Sequence, residues 1–128
     1  MTNDNNFFRF IDGQASYNTG EVFFARLDPL ISNTDELLKS LYYLLWFPGY
    51  FGFNWNALED CLRDFNWINE NKIIIVHDVL PNISKKDLKI YLEILRDTAL
   101  NWRDYDQHTL EVVFQEKDRE HITNILLS

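Results

Sequence analysis

Apolar and polar positions along this chain change rhythm several times, and each change marks an element. Glu21 to Leu27, EVFFARL, gathers Val22, Phe23 and Phe24 into a run of strand-favouring side chains that Asp28-Pro29 closes, which predicts a first strand. The spacing then turns helical. Leu37, Leu38, Leu41, Leu44 and Leu45 recur at intervals of three and four up to Trp46, where Pro48 and Gly49 stop the run. Two capping pairs fit its start, Ser32 with Asp35 and Asn33 with Glu36. A second helix follows, with Trp55, Leu58, Leu62 and Phe65 as its apolar stripe and Asn56, Glu59, Asp60, Arg63 and Asp64 on the other side. Asn54 can cap it, and Asn56 with Glu59 makes an equally good pair.

Lys72 to Val79, KIIIVHDV, does not alternate at all, so it reads as a strand covered on both faces in the middle of a parallel sheet. Ser84 with Asp87 opens a third helix whose Leu88, Tyr91, Leu92 and Leu95 lie on one face, ending between Thr98 and Arg103. His108 to Gln115 predicts a third strand, and Lys117 to Leu127 a short terminal helix with Ile122, Ile125 and Leu126 inward. At the other end, Met1 to Asn6 reads as polar and disordered, and Phe7 to Ile11 as a short strand or an apolar tether ending at the Asp12-Gly13 turn. Strand, two helices, strand, helix, strand is an α/β order. Crossovers of this length join parallel strands, which predicts a small parallel sheet of about three strands packed with helices.

Composition narrows the function more than the fold. A chain of 128 residues, 46% of them hydrophobic, is the size and make-up of one domain with a single core. It has no apolar run near the roughly 18 to 20 residues a bilayer span needs, and its first residues lack the pattern of a signal peptide, so a cytoplasmic location is expected. A lone Cys61 allows no internal disulfide and reads as a small core residue. Twelve basic against twenty acidic residues leave a net charge of −8, which argues against nucleic acid and membrane surfaces and favours a basic partner. Four of those acids, Glu59, Asp60, Asp64 and Glu70, fall within one short stretch that has Arg63 as its single base.

The stretch from Pro48 to Phe65, PGYFGFNWNALEDCLRDF, which carries three of them, is where glycines, aromatics, a helix start and acids coincide. Gly49 and Gly52 flank Tyr50 and Phe51, and glycine's access to positive φ leads us to expect two aromatics on a sharply bent backbone. The acidic helix side is either solvated surface or a rigid negative patch for a cationic cleft. Spacing leaves both open. The segment YFGFNWNALEDCL, Tyr50 to Leu62, resembles the signature of the barstar family, small intracellular inhibitors of ribonucleases. The resemblance implies one barstar-like domain spanning 1–128 with a core at about 21–115, flanked by N- and C-terminal extensions. It places Asp60 on the aspartate that enters the ribonuclease active site, Tyr50 and Phe65 on interface aromatics, and Asn54 on the asparagine opening the helix. Asn56, Glu59 and Asp64 share that face, and Asp97 in ILRDT falls near a second, outlying acid. Two positions depart from the family pattern: Asn56 stands where an acid is common and Glu59 where an aromatic is usual. The implied function is an immunity protein that binds one basic, toxin-like ribonuclease, one to one, and is itself a monomer when free.

An enzyme would need other features. His77-Asp78, at the carboxyl end of the buried strand, is the best catalytic candidate, with His108 and His121 behind it. The histidines have no metal-ligand spacing, and the chain has no phosphate loop, nucleophile elbow or cysteine-histidine signature. The expectation is therefore a non-enzyme without cofactor or metal. An acidic interaction module with no nuclease partner is the alternative, and a small hydrolase using His77 and Asp78 stands third.

Overall fold

The computed structural model describes residues 7–15 and 21–128, so the expected disorder of Met1 to Asn6 lies outside the described residues. The elements are β1 (Arg9–Ile11), β2 (Val22–Arg26), α1 (Thr34–Leu44), α2 (Trp55–Leu62), β3 (Lys72–Val76), α3 (Lys85–Trp102), β4 (Thr109–Gln115) and, after a 3-10 turn at Glu116–Asp118, α4 (Arg119–Leu127). The strands form one parallel sheet in the order β1-β4-β3-β2. The α/β class and the parallel sheet are as expected.

The sheet has four strands rather than three. β1 adds itself at the edge beside β4, Phe10 opposite Phe114, and the Gln115 side chain extends that pairing past the strand end. Its Oε1 accepts from the Gly13 N–H at 3.2 Å and its Nε2 donates to the Gly13 carbonyl at 2.7 Å. Of the two readings of Phe7 to Ile11, the strand holds. The strand at Lys72 also ends at Val76 rather than Val79, although the His77 N–H still donates to the Val113 carbonyl at 2.9 Å.

β3 lies between two neighbours, which explains its unbroken apolar run. Ile73 and Ile75 join the helices in the main core, and Ile74 and Val76 meet Val113 on the opposite face, where Ile11, Ala15, Val22 and Phe24 pack around them. The caps are local chemistry. Asn33 rather than Ser32 caps α1, accepting from the Glu36 N–H at 2.9 Å, while the Glu36 carboxylate reaches back to the Ser32 N–H. Ser84 caps α3, and the Asp87 side chain there accepts from the Thr34 hydroxyl at 2.6 Å, tying α3 to the start of α1.

Candidate functional site

The residues from Leu45 to Phe65 form the surface on which the sequence places most of its candidates. α1 closes with the Phe47 N–H donating back to the Tyr42 carbonyl at 3.1 Å, which puts Trp46 in the left-handed position, φ 57, that glycine usually takes after a helix. Trp67 Nε1 satisfies the Leu45 carbonyl at 2.9 Å. The chain then turns, the Phe51 N–H donating to the Pro48 carbonyl at 3.0 Å, with Gly49 and Tyr50 at the tip. Phe47 and Phe51 are buried and touch, ring centroids 4.9 Å apart, while Tyr50 between them is 76% exposed.

The glycines do not bend this backbone in the expected way. Neither Gly49 nor Gly52 has a positive φ; the left-handed positions fall on Trp46, Phe53 (φ 53) and Phe65 (φ 48). Gly52 matters for its size instead, because a Cβ there would come 3.2 Å from Asn54 Nδ2. Asn54 is the cap of α2, its side-chain oxygen accepting from the Ala57 N–H at 2.8 Å, so the alternative start at Asn56 is not used.

Anchored by buried Leu58, Cys61 and Leu62, α2 presents Asn56, Glu59, Asp60 and Arg63 outward. Asp60 is exposed, and its carboxylate has no hydrogen bond or ion pair among the described residues. Glu59 is different: Oε2 accepts from Arg63 Nε at 3.1 Å and Nη2 at 3.0 Å, so its charge is matched one turn along the same helix. Asp64 is half-buried and accepts from the Asn66 N–H at 3.3 Å. Burial, with the Asp64 and Asp60 carboxylates adding to it, pushes the Cys61 thiol up to about 11, so it stays protonated at neutral pH.

Two candidates sit elsewhere. Phe65, three residues past the end of α2, is fully buried against Trp67, Trp102 and His108, as the apolar stripe implies, and offers no exposed ring for the interface position that the family resemblance gives it. Asp97 is exposed on α3 and paired with Arg96 Nε at 2.9 Å, not with any residue of α2. Arg63 as the neutraliser of Glu59 and the exposed aromatics Trp46 and Phe53 are what the sequence reading missed; the four-residue Glu-Arg spacing was the available signal for the first.

The best enzyme candidate is closed off. His77 is 1% exposed, with Nδ1 3.0 Å from the Val113 carbonyl and Nε2 2.7 Å from the Tyr91 hydroxyl. A carbonyl only accepts, so Nδ1 carries the proton and Nε2 takes the Tyr91 O–H. Asp78 is turned to Arg26, at 3.4 Å. No group of three or more metal-ligating side chains gathers among the described residues, and no helix there is long and apolar enough to cross a membrane.

With this geometry in view, the comparison with known families is specific. The family described as Barstar (barnase inhibitor) matches residues 22–115, from the first residue of β2 to the last of β4. No curated protein matches the chain.

Proposed function

The chain belongs to the barstar family of ribonuclease inhibitors, and from that premise we propose that it is an immunity protein that blocks the active site of a toxin-like ribonuclease with the outer face of α2. The observation that carries this is Asp60: an exposed carboxylate, unpaired among the described residues, on a helix whose other side is locked into the core. A ribonuclease active site is built to hold phosphate and is therefore cationic, and a fixed carboxylate meets it without reorganisation. Tyr50 and the helix positions Asn56 and Glu59 make contacts around it, with Asp64 at the margin, and Asp97 adds an outlying acid. Asn54 acts by holding the helix start. The complex is one to one, forms in the cytoplasm, and leaves nucleic acid and membranes unbound because of the −8 charge.

The test retains ribonucleases from source-cell lysate on the tagged chain, then assays their cleavage of a fluorescent RNA as inhibitor is titrated. One-to-one inhibition that Asp60→Ala abolishes supports the proposal. Tight retention of a protein without nuclease activity supports the interaction-module reading instead.

The protein alone is expected to cleave neither RNA, DNA nor simple esters, with or without divalent metal. Turnover lost on His77→Ala would restore the hydrolase reading, against the burial of that side chain.

Specificity should reside at the two departures from the family pattern. Asn56 offers an amide where an acid is common, and the Glu59 charge is engaged by Arg63 and unavailable to a partner cation. Both favour a partner other than barnase. Restoring the pattern with Asn56→Asp and Glu59→Trp is expected to tighten barnase binding about tenfold or more, the size of one charge-assisted hydrogen bond. Nanomolar inhibition of barnase by the unaltered chain would sink this reading.

A further inference from the structure

Trp46 is placed where a tryptophan costs the fold and contributes little to it. It takes the left-handed position after α1, a conformation that only glycine and asparagine adopt readily. The residue is 69% exposed, and among the described residues its ring has one aromatic contact, edge-on to Phe23 at 5.6 Å. Phe53, at the other end of the same loop and immediately before the Asn54 cap of α2, also has a left-handed backbone, φ 53, and is 40% exposed, one side of its ring packing on Tyr42 and Phe51. Between them stands exposed Tyr50, while Phe47 and Phe51 anchor the loop from inside. Single exposed aromatics are ordinary. Strained backbone beneath two of three exposed aromatics in one loop is not, and such strain persists where function requires the side chain.

We propose that Trp46 and Phe53 are contact residues for the same ribonuclease, forming an apolar wing of the interface whose aromatic faces receive apolar and cationic side chains at the rim of the nuclease active site. This rests on the inhibitor reading above. The occupant follows from continuity: the loop runs directly into the helix that carries Asp60, and a basic partner drawn to that acidic helix brings the cations that tryptophan faces hold best.

Substitution at a left-handed position makes the test clean, because glycine or asparagine suits that backbone better than tryptophan. Barnase serves as probe, titrated calorimetrically at micromolar concentration and low salt with wild type, Trp46→Gly, Trp46→Asn, Phe53→Asn and Asp60→Ala. Tyr105→Ala provides an exposed aromatic outside the loop as control. The Trp46 variants are expected to keep their thermal midpoint within about 4 °C while losing about tenfold or more in affinity, and Tyr105→Ala to lose none. Trp46 variants that bind within twofold of wild type, while Asp60→Ala does not bind, overturn this proposal and leave the inhibitor reading standing. So does a midpoint drop well beyond that range, which would make Trp46 a fold residue, or a change confined to self-association in the ultracentrifuge. Where the unaltered chain does not bind barnase, as its departures at Asn56 and Glu59 allow, the same variants are titrated in the Asn56→Asp, Glu59→Trp background, and Trp46 variants that bind within twofold of that parent overturn the proposal.

Discussion

Asp60→Ala is expected to weaken the complex with the target ribonuclease by about 2 to 5 kcal/mol or more, roughly 30- to 5,000-fold in the dissociation constant. That magnitude is carried over from measured interfacial charge pairs, the barstar–barnase pair being the standard example. What the structure supplies is the reason to expect the full effect at this residue. The carboxylate has no partner among the described residues, so binding breaks no pair there, and the helix beneath it is already fixed by Leu58, Cys61 and Leu62. Truncation leaves the nuclease cation buried and unpaired.

The neighbouring acids calibrate the claim. Glu59→Gln is expected to cost under about 1 kcal/mol, because an exposed i, i+4 pair with Arg63 already holds that charge. Association should slow with added salt in wild type, since an acidic face steers a basic partner over about 10 Å at 0.1 M ionic strength. Calorimetry showing a loss under about 1 kcal/mol for Asp60→Ala, or an equal loss for Glu59→Gln, would remove Asp60 from its central role.

What was legible in the sequence follows a physical division. Elements that bury a periodic stripe or a long apolar run, α1, α2, α3 and β3, could be read from spacing alone, because the same spacing creates their burial. β1 was legible only as one of two readings, strand or tether: three residues carry no period, and their stability comes from pairing with β4 about a hundred positions away. The acidic face of α2 was visible as a set of residues but not as a charge arrangement. Only the side-chain geometry shows that Glu59 is answered by Arg63 while Asp60 has no partner among the described residues. The loop before it was misread for a related reason. Glycine was given the left-handed backbone on propensity, whereas the left-handed positions fall on Trp46, Phe53 and Phe65. Phe65 belonged by spacing to the apolar stripe and by family position to the interface, and burial decides for the stripe.

His77, set aside as a catalyst, is expected to dominate the acid sensitivity of the fold. Burial lowers its pKa from 6.5 to about 4, the Val113 hydrogen bond only partly opposing this, and burial pushes the Tyr91 phenol up, so that hydroxyl stays a donor throughout. Phe114 stacks on the imidazole at 4.2 Å and offers no compensating charge. Above about pH 6.5 the imidazole is neutral in both folded and unfolded chains, and the group makes no pH-dependent difference. Between 6.5 and 4 the unfolded chain takes up a proton that the folded chain refuses, so stability falls by about 1.4 kcal/mol per pH unit. Below 4 both states carry the proton and the loss, about 3 kcal/mol in all, is complete. From pH 6.5 to 5 the thermal midpoint should drop by on the order of 5 to 10 °C, a window above the range in which ordinary carboxylates titrate. The double variant His77→Phe with Tyr91→Phe removes both polar partners at once and leaves neither orphaned, so it should fold and lose most of that drop. A midpoint that falls equally in wild type and the double variant would place the acid sensitivity elsewhere in the chain.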